Sequence, residues 1–232
     1  MKRLVLPVLI GVVLSGCATV PKQSFNAAAN THVKKVAVIA PQSVENIAVD
    51  MVSHPGTSFG LVGGLVAAAD MHAKTSSYNN ALGSAKTDWK SFSQQQVADE
   101  LKKKGYEVET VDIRKKTDTD YLSSYPSTMA DAFLDYQLRV TQLAAGPTSN
   151  YIPTTSMKVR LVDAKNQKIL YEEALVSGLS SDASNQTISL SPANPQGYKD
   201  IAELTAHAQE STAALKQGIQ QMAQRIASDL KK

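Results

Sequence analysis

"TSMKVRLVDAKNQKILYEEALVSG", Thr155–Gly178, holds two short runs on either side of a cluster of turn residues. Met157, Val159 and Leu161 alternate with Lys158 and Arg160, and after "DAKNQK" the apolar residues resume at Ile169 and Tyr171. Period-two alternation gives each strand one covered and one open face, so the segment predicts a β-hairpin with a loop longer than two residues. A hairpin this apolar on one side needs a second layer, and the flanking sequence offers both strands and helices to supply it.

Working outward, "ADAFLDYQLRVTQL" (Ala130–Leu143) sets Leu134, Tyr136, Leu138 and Val140 against Asp135, Gln137, Arg139 and Thr141, a strand with one wet face. "VKKVAVIAP" (Val33–Pro41) reads as a short buried strand ended by Pro41. "TDWKSFSQQQVADELKKKGYEVETVDI" (Thr87–Ile113) has helix-then-strand grammar. Asp88 can cap the helix, Trp89, Phe92, Val97 and Leu101 lie near one face, three lysines suit its C-terminal end, and Gly105 stops it before a strand from Tyr106 to Ile113. Arg114–Thr128 reads as a polar linker and Leu179–Gly197 as a loop. Ile201, Leu204, Ala208, Leu215, Ile219, Met222, Ile226 and Leu230 recur at helical spacing, giving a long C-terminal helix. Gly218 weakens its middle by ~1 kcal/mol relative to Ala, so a bend is expected there. The expected fold is an α/β (α+β) sandwich: a mixed sheet of about four to five strands, a helix after the first strand, and both long helices covering a face.

The opening strand, "LKKKGYEVETVDI" and above all the hairpin resemble the core shared by lipoproteins of the curli-secretion-channel type, penicillin-binding-protein activators and the N-terminal domain of the Tol-system translocation protein. The resemblance implies a compact α/β domain that binds proteins or assembles with itself and does no chemistry. Many relatives carry Gly in the hairpin turn where this chain has Asn166, which tolerates the left-handed conformation nearly as well.

The chain's address is written in its first seventeen residues, "MKRLVLPVLIGVVLSGC". Lys2 and Arg3 form a positive region, Leu4–Val13 an apolar one, and Leu14-Ser15-Gly16 precedes the single cysteine of 232 residues. This resembles the bacterial lipoprotein signal, which implies cleavage before Cys17 and attachment of acyl chains there, each buried CH₂ contributing about 0.8 kcal/mol to membrane binding. Ala18 stands where retention in the inner membrane usually calls for Asp, so the resemblance implies a lipid anchor in the outer membrane with the body on the periplasmic side. The expected organisation is 1–16 signal, 17–31 lipidated N-terminus and tether, and 32–232 a single domain with a glycine-rich apolar insert at 42–86.

With Cys17 acylated no thiol is left for a disulfide or thiolate metal site. The formal charge is +3, with no block of like charge longer than Lys102–Lys104, and nothing argues for nucleic acid. His32, His54, His72 and His207 are scattered; Asp70 and His72 make a D-x-H pair, but no third and fourth ligand accompany them. No serine sits in a G-x-S-x-G elbow, and "HPGTS" (His54–Ser58) brings hydroxyls near a histidine only in sequence. Asp99-Glu100 and Glu172-Glu173 are adjacent carboxylates that point apart, read as solvated surface. Tyr121, Tyr125 and Tyr151 are expected to pack and anchor loops. No catalytic residue, metal or cofactor is expected.

The remaining oddity is "SFGLVGGLVAAADMHAKTSS", Ser58–Ser77, apolar or glycine from Phe59 to Ala69. "GLVGG" matches neither phosphate-binding glycine motif, so no nucleotide is expected. As a helix it would align Gly60, Gly64 and Ala68 in one row that lets two backbones approach, and about twelve helical residues, roughly 18 Å, are too short to span a bilayer. Three fates stay open for that row: packing on the chain's own sheet, contact in a homo-oligomer, or contact with the membrane. The favoured function is a non-enzymatic lipoprotein that binds envelope proteins or self-assembles in a transport or assembly system; the alternative is an oligomeric secretion pore with Ser58–Ser77 at the membrane.

Overall fold

The computed structural model describes residues 22–180 and 186–231; the signal, Cys17 and the first part of the tether lie outside them. The elements are β1 (Lys35–Ile39), β2 (Ala48–Met51), a 3₁₀ turn (Pro55–Phe59), α1 (Gly60–Leu82), α2 (Trp89–Lys103), β3 (Glu107–Val111), β4 (Ala132–Ala144), β5 (Ile152–Asp163), β6 (Ile169–Ser177), β7 (Thr187–Leu190), α3 (Ile201–Ala206) and α4 (Ala208–Asp229).

The expected hairpin is β5–β6, antiparallel, and β4 pairs along nearly the whole of β5. These three strands are the spine of a seven-stranded mixed sheet ordered β3-β1-β4-β5-β6-β7, with β2 also on β4. β1 and β2 share one edge of β4: β1 lies along Ala132–Leu134 and β2 along Thr141–Ala144, both parallel to it. The α/β class is as expected, but the strand count exceeds four to five. The two unexpected strands, β2 and β7, are four residues each, and short runs such as "AVDM" and "TISL" carry too little periodicity to stand out. Likewise the helix expected after the first strand follows the second, and Leu179–Gly197 is not all loop.

One face of the sheet is buried under α2, α4 and the C-terminal half of α1. Val36, Val38, Leu134, Tyr136, Met157, Val159, Leu161 and Leu175 meet Trp89, Val97, Leu101, Leu215, Ile219, Met222 and Ile226 there, each large side chain contributing about 1.5–3 kcal/mol on burial. α2 starts as its sequence requires, Asp88 Oδ1 accepting from Ser91 N at 3.1 Å, and Gly105 follows its end with φ 86°. The C-terminal helix breaks at His207, not at Gly218. Gly218 is where α4 presses on the sheet: a Cβ would lie 2.5 Å from Thr155 Oγ1 and 3.1 Å from Ser177 Oγ. The glycine seen as a helix weakener is a close-packing residue.

The opposite face was expected to be wet, and at its β1 end it is not. Residues 112–131 fold back over Ala37, Ile39 and Phe133, burying Leu122 and Ala130. In the hairpin turn the residue with positive φ is Gln167, at 60°, not Asn166, whose side chain accepts from Lys168 N at 2.8 Å. Lys22–Asn30, placed in the tether by sequence, is docked: Gln23 exchanges both backbone hydrogen bonds with Glu172, and Phe25 packs against the core. A peptide bonded to the otherwise open part of the β6 edge covers groups that would pair with another chain.

Candidate functional site

Asp135, fully buried, pairs with Arg114, accepts from Leu122 N at 2.8 Å and Tyr125 Oη at 2.9 Å, and lies 3.8 Å from Arg160. Arg114 also donates to Ala40 O and Asp120 O, and Arg160 sits over the Tyr121 ring at 4.2 Å. Every charged group here is spent on pinning residues 114–125 to the sheet, so the cluster is structural. The cleft beside it, lined by Gln42, Glu45, Lys90, Arg114 and Lys116, is similarly committed: Lys90 pairs with Asp112 and Lys116 with Glu45.

Glu172 and Glu173, expected at the surface, are both buried. They do point to opposite faces. Burial raises the Glu172 carboxyl above its usual range, with Arg160 opposing. Glu173 faces α4, where Tyr171 Oη bonds both Glu173 at 3.1 Å and Asp229 at 3.2 Å. Burial and then the neighbouring Asp229 push Glu173 up. A raised acid is favoured protonated by the fold, so its stabilising contribution is complete below the ordinary glutamate range and is lost as pH rises through the folded value. Lys22, 3.4 Å away, opposes this shift without reversing it, so Glu173→Gln should flatten the fall in melting temperature as pH rises above the ordinary glutamate range; a variant whose pH dependence there is as steep as wild type's would contradict this sign.

His54 is the histidine nearest to a catalytic arrangement. Its Nδ1 accepts from Gly56 N at 3.0 Å and its Nε2 meets Asp70 Oδ2 at 3.2 Å. Both ring nitrogens are engaged, and neither faces a serine or threonine hydroxyl: Thr57 Oγ1 donates instead to the His54 carbonyl. His72 is exposed on α1, away from this pair. Among the described residues no group of three or more His, Cys, Asp or Glu gathers to hold a metal ion.

The surface that stands out is apolar. His54 caps the 3₁₀ turn and Pro55 begins it, so the chain doubles back and lays the turn along the first half of α1. Gly56 and Gly63 meet backbone to backbone, a Cβ on either overlapping the other's carbonyl oxygen, with Ala67 alongside. Asp70 closes the contact, bonded to His54 and, at 2.7 Å, to Lys74. Burial alone would raise Asp70, but Lys74 and His54 outweigh it and hold the carboxyl low. Links from α1 to the sheet and α4 begin further along. Thr75 accepts from Val49 N and Asn79 brackets Ile47, while the buried Tyr78 hydroxyl joins Ser211, Thr212 and Gln142.

The first half of α1 is thus an arm with the turn on one side and solvent on the other. Phe59 (76%), Leu61 (82%), Val62 (74%), Leu65 (64%) and Val66 (60%) are exposed to the extents given, and no Asp, Glu, Lys or Arg occurs from Val52 to Ala69. Scattered exposed apolar residues are ordinary, but a contiguous patch on the order of 600 Å² is at the upper end of what a monomer exposes. Packing on the chain's own sheet is excluded for these side chains. The row expected from sequence, Gly60, Gly64 and Ala68, is not the inward one: Gly60 and Ala68 are exposed and Gly64 half-buried, with open space where its Cβ would stand. The inward row is one residue earlier, Gly63 and Ala67. No helix among the described residues is long and apolar enough to cross a membrane.

No family model matches the chain, and no curated protein matches it. Solved structures to which the chain is similar include the PelC dodecamer of Paraburkholderia phytofirmans, at 12% identity and TM-score 0.42 over 93% of this chain and 100% of that one. A Xanthomonas campestris protein of the DUF330 family matches at 9% identity and TM-score 0.40, covering 83% and 81%. Lipoprotein GNA1162 of Neisseria meningitidis matches at 18% identity and TM-score 0.27, covering 66% and 85%. None of the three is a curli, penicillin-binding-protein-activator or Tol protein by name, and likeness at this level says nothing of what this chain binds.

Proposed function

We propose that the protein is a non-enzymatic lipoprotein, anchored through Cys17 on the periplasmic side of the outer membrane, that docks proteins or copies of itself through the arm as part of an envelope transport or assembly system. The observation that carries this reading is the uncharged, solvent-facing ridge Phe59–Val66 on a chain whose buried polar clusters are committed to holding the fold. The anchor and the ridge are also far apart. Lys22 and Gln23 enter beside Glu172, in register with Arg160 and Asp135, whereas the arm follows β2 at the Ala144 end. Nine strand positions at about 3.3 Å put ~30 Å between these levels. Five residues from Cys17 to Lys22 reach at most ~18 Å. With its strands upright on the anchor the domain would hold the ridge away from the lipid, where a protein can meet it, an arrangement that favours docking over the membrane-contacting pore reading.

The test is native electrophoresis of the full-length chain from gently solubilised membranes. Wild type should run in a complex heavier than the monomer, Leu65→Asp at least mostly as monomer, and Cys17→Ser should leave the membrane fraction. Leu65→Asp in an unchanged complex would sink the docking reading, and Cys17→Ser still in the membrane pellet would sink the anchor.

A further inference from the structure

We infer that the ridge docks on a second copy of this chain, α1 against α1, antiparallel about a two-fold axis at Ala69. The inference rests on the docking reading above and names its partner. At 3.6 residues per turn, Ala69 lies roughly opposite the inward row of Gly63 and Ala67. Val62, Leu65, Ala69, His72 and Ser76, spaced three and four apart, run down the outward side as a seam of the kind two helices share, and all five are exposed.

The seam is graded in size. Its N-terminal half carries Leu61, Val62, Leu65 and Val66, and its C-terminal half carries Ala73, Ser76 and Ser77. Turned antiparallel about Ala69, Leu65 falls beside Ala73 and Val62 beside Ser76 close to the seam's centre, with Leu61 and Val66 on its two flanks. Both large seam residues fall on small ones, and the two alanines touch at the axis, letting the backbones approach. Parallel pairing would stack large on large and small on small, leaving a gap at one end. A closed two-fold contact of this kind uses the same patch on both copies.

Area and charge point the same way. The patch with its alanine strip and rim comes close to the ~800 Å² per partner of a standard stable interface. Interfacial membrane helices set Lys or Arg around their polar face; here the first basic residue on α1 is Lys74, and it is engaged by Asp70.

The experiment is site-directed disulfide formation in the full-length chain, oxidised in isolated membranes and read on non-reducing gels, with wild type reporting any background from Cys17. Ala69→Cys should convert most of the chain to a dimer. Ser77→Cys, about 12 Å along the helix from the axis and so ~24 Å from its own counterpart, should give less than a tenth as much. Val62→Cys and Ser76→Cys chains expressed together should cross-link to each other. Adding Leu65→Asp to Ala69→Cys should cut the dimer at least tenfold, and because Leu65 is exposed this substitution spares the fold. Equal cross-linking through Ser77→Cys and Ala69→Cys would overturn the antiparallel pair. So would Ala69→Cys shielded from an impermeant maleimide without forming a dimer, since lipid or another protein would then cover the face. If Ala69→Cys gives no dimer while Leu65→Asp still dissolves the native complex, the docking reading stands and the second copy falls; if neither has any effect, both fall.

Discussion

Replacing Asp135 with Ala is expected to cost about 3–5 kcal/mol, the usual consequence of removing one partner from a buried ion pair. The magnitude follows from what is left behind. Arg114, with a side chain only 2% exposed, would keep its charge with no carboxylate beside it, and Arg160 would lose its nearest anion. Leu122 N and the Tyr125 hydroxyl would lose their acceptor at the same time. Residues 114–125 should then detach, exposing the small cluster of Ala37, Ile39, Leu122, Ala130 and Phe133. Thermal unfolding of the full-length chain followed by circular dichroism would show a melting temperature lower by roughly ten degrees, at 2–4 °C per kcal/mol for a domain of this size. Asp135→Asn, which retains acceptor capacity, should lose less. A melting temperature within two degrees of wild type for Asp135→Ala would mean that water replaces the carboxylate and that the cluster contributes little.

That cluster also shows why one half of the fold was legible in sequence and the other was not. The hairpin, β4, α2 and the C-terminal helix each repeat a period over ten or more residues, and burial on one face is all that such a period needs to report. Asp135 sits on the polar side of β4's alternation, and alternation gives it to water. What buries it is a partner twenty-one residues away in a segment with no period at all, and pairing between a loop and a strand leaves no local trace. Glu172 and Glu173 were misplaced for the same reason: their covers, residues 114–125 and Asp229, are distant in sequence. The apolar stretch at Phe59 was conspicuous, but its orientation was not. Apolar residues surround the helix at every angle, so the pattern alone could not choose an inward face, and the choice is made by His54 and Gly56, which lie before the helix begins.

Those two residues make the arm's glycines unequal, and the contrast can be measured. Gly64→Ala should be mildly stabilising, because open space awaits the methyl and Ala exceeds Gly in helix propensity by ~1 kcal/mol. Gly63→Ala gains the same propensity and loses far more. Its methyl would overlap the Gly56 carbonyl oxygen and crowd the Phe59 Cβ, both belonging to a turn with no flexible side chain to yield. The turn must lift off, taking His54 away from Asp70 and separating the two parts of the arm. The domain core, held by Tyr78, Leu82 and the sheet, does not share that contact, so global melting should change by less than three degrees while protease cleavage within 52–59 rises at least tenfold. A row centred on Gly60, Gly64 and Ala68 would reverse the order of the two variants. Equal protection of both would show that the turn is held by the His54–Asp70 bond alone and that backbone contact between Gly56 and Gly63 adds nothing to it.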